Sequence, residues 1–124
     1  MSQGGNVLIV EDNDFVRMQI VRYLSDSGFA TQEAADGQVA LNEFSKETDL
    51  AIVDVRMEPI DGFEFIKALR GRNIQTPVIL VTGDQNPDLL NEANKWGVSA
   101  VLMKPVQKDR LIKMVTRAIQ QAQQ

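Results

Sequence analysis

Leu50-Ala51-Ile52-Val53-Asp54 is a run of four apolar residues closed by an acid. It does not alternate between polar and apolar, so a strand here is buried on both faces, the condition of a parallel sheet covered by helices. Three runs of the same kind lie elsewhere along the chain. Val7-Leu8-Ile9-Val10 leads into Glu11-Asp12, Val78-Ile79-Leu80-Val81 into Thr82, and Ala100-Val101-Leu102-Met103 into Lys104-Pro105. In open α/β sheets, ligands bind beyond the carboxyl ends of the strands. If the four runs are parallel neighbours, three carboxylates, a hydroxyl and an ammonium converge at one end.

Between the runs the pattern takes a helical period. Phe15, Met18, Val21 and Leu24, with Ile20 beside them, predict an amphipathic helix ended by Ser27-Gly28. Ala30 to Ala34 is a weaker strand, polar at Thr31, Gln32 and Glu33, as suits a sheet edge. Gly37 to Ser45 carries Val39, Ala40, Leu41 and Phe44, a second helix. Asp61-Gly62-Phe63-Glu64 is a capping box opening a third, with Phe63, Ile66 and Leu69 as its inner face and Lys67 and Arg70 near its end. Asn86-Pro87-Asp88 starts a fourth helix that stops at Trp96-Gly97, and Leu111, Val115, Ala118 and Ile119 define a fifth. The order is βα repeated five times over residues 1–124, read as one domain without linker or internal repeat. Alternating βα units pair in parallel through right-handed crossovers. Five strands suit a doubly wound three-layer sandwich, since a closed barrel takes about eight.

The bulk composition narrows the chemistry. With 124 residues, 13 Lys+Arg and 17 Asp+Glu, the net charge of −4 gives no nucleic-acid footprint over the whole surface. The absence of cysteine excludes disulfides and thiolate metal sites, and the absence of histidine removes the commonest general base. Any metal is therefore a hard cation held by oxygen. No apolar stretch reaches bilayer length and Met1-Ser2-Gln3-Gly4-Gly5 is no signal peptide, so the expected location is cytoplasmic.

On these residues the chain resembles a response-regulator receiver domain of bacterial two-component signalling, over essentially its whole length. The resemblance implies the flavodoxin-like strand order 2-1-3-4-5, which sets strands one and three side by side and brings Glu11, Asp12 and Asp54 together. It further implies that Glu11 and Asp12 hold Mg²⁺, that Asp54 is the phosphoacceptor, and that the backbone carbonyl of Arg56 completes the metal's protein ligands. Thr82 and Lys104, of the Lys104-Pro105 pair, would contact the phosphoryl group. Its partners would be a histidine kinase or histidine phosphotransfer domain and an attached or separate effector. Direct nucleic-acid or membrane binding is not expected.

Physical chemistry supports each role. A carboxylate attacking a phosphoryl group meets like charge, which a bound Mg²⁺ and the Lys104 ammonium offset. Attack by Asp54 gives an acyl phosphate, the aspartyl form of covalent catalysis. Mg²⁺ keeps several waters and takes one or two direct carboxylates, so the longer Glu11 is expected to hold a metal-bound water. Taken alone, Glu11-Asp12-Asn13-Asp14 reads more readily as a helix N-terminus and Asp54 as a strand-ending turn. Their combination at one sheet end favours the site.

The chain departs from the family at two places. Four residues after the acceptor, where receivers usually have proline, stands Glu58, and Pro59 follows one later. Three residues before the Lys-Pro lysine, where many receivers place a swinging Tyr or Phe, stands Val101, stiff at χ1 and too short to swing. The resemblance further implies that Arg56 and Asp84, two residues past Asp54 and Thr82, would flank the approach of an attacking water and tune phosphoryl lifetime. Trp96 is expected to be a packing residue, and Arg110, Lys113 and Arg117 a solvated basic face. The leading reading is a signalling module that promotes its own phosphorylation and dephosphorylation and is not otherwise an enzyme. One alternative is an unphosphorylated pseudo-receiver that acts as a protein-binding scaffold. Another, an aspartate-nucleophile phosphatase, would need a second aspartate where Arg56 stands. A flavin-binding relative would set a phosphate against Glu11-Asp12.

Overall fold

The computed structural model describes residues 4–58, 60–83 and 86–123. Five strands alternate with five helices: β1 (Asn6–Val10), α1 (Asp14–Asp26), β2 (Ala30–Ala34), α2 (Gly37–Glu43), β3 (Leu50–Asp54), α3 (Gly62–Gly71), β4 (Val78–Thr82), α4 (Pro87–Lys95), β5 (Ala100–Met103) and α5 (Lys108–Ala122). The strands form one parallel sheet, the doubly wound architecture expected from the alternating βα units, in the order β2-β1-β3-β4-β5 that the resemblance implies. Register places Val10 opposite Val53, Asp54 opposite Val81 and Thr82 opposite Met103, so all the polar strand ends lie along one edge of the sheet.

The sheet separates two apolar layers. Ile9, Ile52, Ile79 and Leu102 face α1 and α5, where they meet Ile20, Leu24, Leu111, Val115 and Ile119. Leu8, Val10, Val53 and Leu80 face the other way, onto Phe65, Ile66 and Leu69 of α3 and Ala40 of α2. Each central strand thus supplies side chains to both layers, which is why its sequence is apolar without alternation. β2, at the edge, buries only Ala34 fully. No helix among the described residues is long and apolar enough to cross a membrane.

Two helix faces differ from expectation. On α1 the buried residues are Ile20 and Leu24, with Val16, Val21 and Tyr23 partly buried, whereas Phe15 is 87% and Met18 66% exposed. The Val16–Ile20–Leu24 row, spaced by four, faces the sheet, and Phe15 and Met18, at the start of the row spaced by three that also ends at Leu24, turn to solvent. On α3, Phe65 is fully buried and Phe63 only partly so. The expected capping box is present: the Asp61 side chain accepts from the Glu64 N–H while Glu64 accepts from the Asp61 N–H. On α2 the helix ends at Glu43, Ala40 is buried, Val39 is 39% exposed, and Phe44 forms the C-cap. The fifth helix buries Leu111, Val115, Ala118 and Ile119 and leaves Arg110, Lys113 and Arg117 exposed, as its period implies.

Candidate functional site at the carboxyl end of the sheet

Backbone hydrogen bonds fix the strand ends that carry the site. The Glu11 N–H donates to the Ala34 carbonyl at 3.0 Å, continuing the β1–β2 pairing one residue past the strand. Asn13 then caps α1, its side chain accepting from the Val16 N–H at 3.1 Å, while its own N–H donates to Glu11 Oε2 at 3.1 Å. On the other flank the Lys104 N–H donates to the Thr82 carbonyl at 2.8 Å. Between them, the loop after β3 returns to start α3 directly beneath the acceptor strand. A Cβ on Gly62 would lie 2.5 Å from the Asp54 carbonyl oxygen, so that return requires glycine.

Glu11, Asp54 and Thr82 are buried, Asp12 is exposed, and Lys104 lies between these extremes. One carboxylate oxygen from each of Glu11, Asp12 and Asp54 lies within 4.8 Å of the others. Lys104 Nζ is 3.0 Å from Glu11 Oε1 and 3.4 Å from Asp54 Oδ1, so a single cation bridges two buried acids. Oε1 of the buried Glu11 meets the Lys104 ammonium as its one cationic partner among the described residues, in a contact whose hydrogen-bond angle is poor. Burial, the largest influence, lifts the Glu11 carboxyl from 4.5 to about 7; the Asn13 N–H and Lys104 pull the other way. For Lys104, burial works to lower the pKa, but the pairs with Glu11 and Asp54 outweigh it and the net shift is upward. Three carboxylates gathered within 4.8 Å, two of them buried and sharing a single ammonium, suit a hard divalent cation that ligates through oxygen.

Residues 7–116 match the model of the response regulator receiver domain family. The chain belongs to that family. It is therefore a receiver domain of the response regulators of two-component systems. It is 34% identical over 121 residues to the regulatory protein AtoC of Escherichia coli K12, covering 97% of this chain and 26% of that protein. It is 31% identical over 124 residues to the transcriptional regulatory protein FixJ of Bradyrhizobium diazoefficiens, covering 99% of this chain and 60% of that one. The chain thus spans only part of the length of these relatives. Among solved structures, the Vibrio cholerae chemotaxis protein CheY4 superposes with a TM-score of 0.83 at 31% identity, over 92% of this chain and 98% of that one.

The receiver brings together most of the residues singled out from sequence. Glu11, Asp12, Asp54 and Lys104 cluster, and Thr82 is buried at the neighbouring strand end. Arg56 lines an open cleft of about 660 Å³ beside the cluster, together with Asp12, Val55, Met57, Glu58 and Asp61. Pro59 and Asp84 lie outside the described residues. Val101 is partly buried against the α3-side layer. Trp96 packs on the same layer, and its indole N–H donates to Glu92 at 3.0 Å, as a packing residue would. One residue of the receiver's site region is not evident from motif reading. Arg17, on the second turn of α1, donates to the Glu11 backbone carbonyl at 2.7 Å. The available signal is its i,i+3 spacing from Asp14, a common helix-surface pair that does not reveal a reach to a neighbouring loop.

Proposed function

We propose that this chain is a phosphorylatable receiver, one domain over residues 1–124, in which Asp54 accepts a phosphoryl group from a phosphohistidine of a histidine kinase or histidine phosphotransfer domain. The observation that carries the proposal is the clustering of three carboxylates within 4.8 Å beneath one ammonium, 3.0 and 3.4 Å from two of them. Asp12, Asp54 and the Arg56 carbonyl would ligate Mg²⁺, with Glu11 holding a metal-bound water. When bound, Mg²⁺ supplies positive charge between the acceptor carboxylate and the phosphoryl oxygens.

The chain's own residues do the rest. One Asp54 oxygen attacks phosphorus in line, the P–N bond to the donor imidazole breaks, and its electron pair stays on the departing nitrogen. Lys104 shifts from bridging two acids to neutralising charge on the transferred group. The Thr82 hydroxyl donates to a phosphoryl oxygen, and this pull links phosphorylation to the loop after β4. In dephosphorylation water attacks phosphorus, the acyl oxygen leaves as the Asp54 carboxylate and inorganic phosphate departs, at a rate that Arg56 and Asp84 would tune. The exposed apolar pair Phe15 and Met18, one turn beyond the acidic loop, would meet the donor protein. The basic face of α5 is available to an acidic partner or an effector. Because Val101 replaces the aromatic switch residue, output would run through the loops after β3 and β4 without a ring rotation. The expected location is cytoplasmic.

Intact-protein mass spectrometry after incubation with Mg²⁺ and a small acyl-phosphate donor tests this. One added phosphoryl group on the wild type is expected, and none without Mg²⁺ or on Asp54→Asn. A folded protein that takes up no phosphoryl group and binds no beryllofluoride would instead be a scaffold.

A further inference from the structure

The three contacts of Arg17 converge from three elements. Nη1 donates to the Glu11 carbonyl at 2.7 Å, Nη2 to Asp14 Oδ1 at 2.6 Å and Nε to Glu33 Oε1 at 3.1 Å. The side chain is only 14% exposed although Asp14 is 82% and Glu33 50% exposed. The guanidinium thus ties the start of α1 and the end of β2 to the loop after β1, which carries the acidic pair.

The carbonyl it holds has particular leverage. The Glu11 carbonyl and the Asp12 N–H belong to one planar peptide unit. Holding the carbonyl restrains that plane and so the position of Asp12 Cα, from which the side chain departs. Asp12 is the exposed member of the three-carboxylate cluster, with no buried packing to orient it. The Glu11 side chain has its own restraint, the Asn13 N–H on Oε2.

We propose that Arg17 is a positioning residue that orients Asp12 for divalent-cation binding by holding the Glu11–Asp12 peptide. This rests on the reading of Asp12 as a metal ligand. Its planar fork suits three acceptors in different directions; a lysine ammonium at the end of a flexible stem is not pre-organised to do so. The sign of the effect separates this role from a purely electrostatic one. A cation acting only by its charge beside an acidic site repels metal, so its removal tightens binding. A cation that positions a ligand weakens binding when removed, and outer-shell partners of metal ligands typically contribute about ten- to a hundredfold in affinity.

Isothermal titration calorimetry with Mg²⁺ on the unphosphorylated chain decides the matter, at a temperature where melting in EDTA shows each variant folded. Arg17→Gln is expected to raise the Mg²⁺ Kd about tenfold. Arg17→Lys, which keeps the charge and guards against loss of fold, is expected to recover only part of that affinity. A Kd unchanged or lowered in Arg17→Gln, or in Arg17→Lys should the former not fold, overturns the positioning role. A wild type that binds no Mg²⁺, or binds it equally well after Asp12→Asn, overturns the metal-ligand reading itself and this inference with it.

Discussion

Two polar clusters in this receiver, each with a glutamate beside a lysine, behave in opposite ways. At the corner between α3 and α4, Glu92 accepts from the Trp96 indole at 3.0 Å and pairs with Lys67 at 3.5 Å, and these partners hold its carboxyl below the usual range. Arg70 completes that corner by donating to the carbonyls of Trp96, Ile74 and Thr76 at 3.2, 3.0 and 3.0 Å. At the carboxyl end of the sheet, burial drives the Glu11 carboxyl up to about 7 despite Lys104, and one oxygen lacks a hydrogen bond. The first cluster satisfies its groups. The second keeps acids close together and incompletely satisfied, the arrangement expected where charge is to be handled during a reaction.

The two corners are therefore separable by mutation. Lys104→Met should slow phosphorylation by the small acyl-phosphate donor by about 10²–10³-fold, the usual loss when a single group stabilising transferred charge is removed. A time course of phosphoprotein formation measures this, and a loss below tenfold would take Lys104 out of the chemistry. Arg70→Met should leave that rate unchanged but cost about 2 kcal/mol in urea unfolding, because partly buried carbonyls lose their donor. If it slowed phosphorylation as well, the two corners would be coupled.

Glu11→Gln distinguishes the clusters by pH. With its carboxyl at 4.5 when unfolded and about 7 when folded, the metal-free native chain binds the extra proton across that interval. Stability should accordingly fall as pH rises from about 4.5 to 7 and level off above it. Glu11→Gln should remove this slope and gain about 1–3 kcal/mol at pH 8 in EDTA, the full shift being the upper bound. A wild type whose stability rises over the same interval would contradict that account of Glu11. The smallest change expected is Trp96→Phe, which keeps an aromatic ring of smaller size but removes the indole donor. It should cost about 0.5–1 kcal/mol by the same unfolding measurement, and a loss above 3 kcal/mol would make Trp96 a core anchor.

How much was legible in advance depended on the range of the interaction. Val53-Asp54 and Val81-Thr82 announce strands and their ends because burial on both faces leaves a local signature. The capping box at Asp61–Glu64 and the Asn86 cap are equally local and appear as read. The α1 face was harder. Phe15 and Met18 fit a helical stripe as well as Val16 does, and only the direction from which the helix leaves the Asn13 cap decides which row meets the sheet. Arg70 sits in the last turn of α3, where a cation suits the helix dipole, but its guanidinium also holds carbonyls up to 26 residues away, which no local pattern signals.

The sequence by itself determined the βα order, the identity of the polar residues at the strand ends and, by elimination of histidine and cysteine, the oxygen-only character of the site. Those are properties of composition and short-range period, which need no knowledge of neighbours. Only the tertiary structure decided that Lys104 bridges Glu11 and Asp54, that burial raises the Glu11 pKa, and that Arg17 grips the peptide joining Glu11 to Asp12. Each of these depends on groups distant in sequence meeting where water is excluded, and their strength follows from a local dielectric that no stretch of sequence contains.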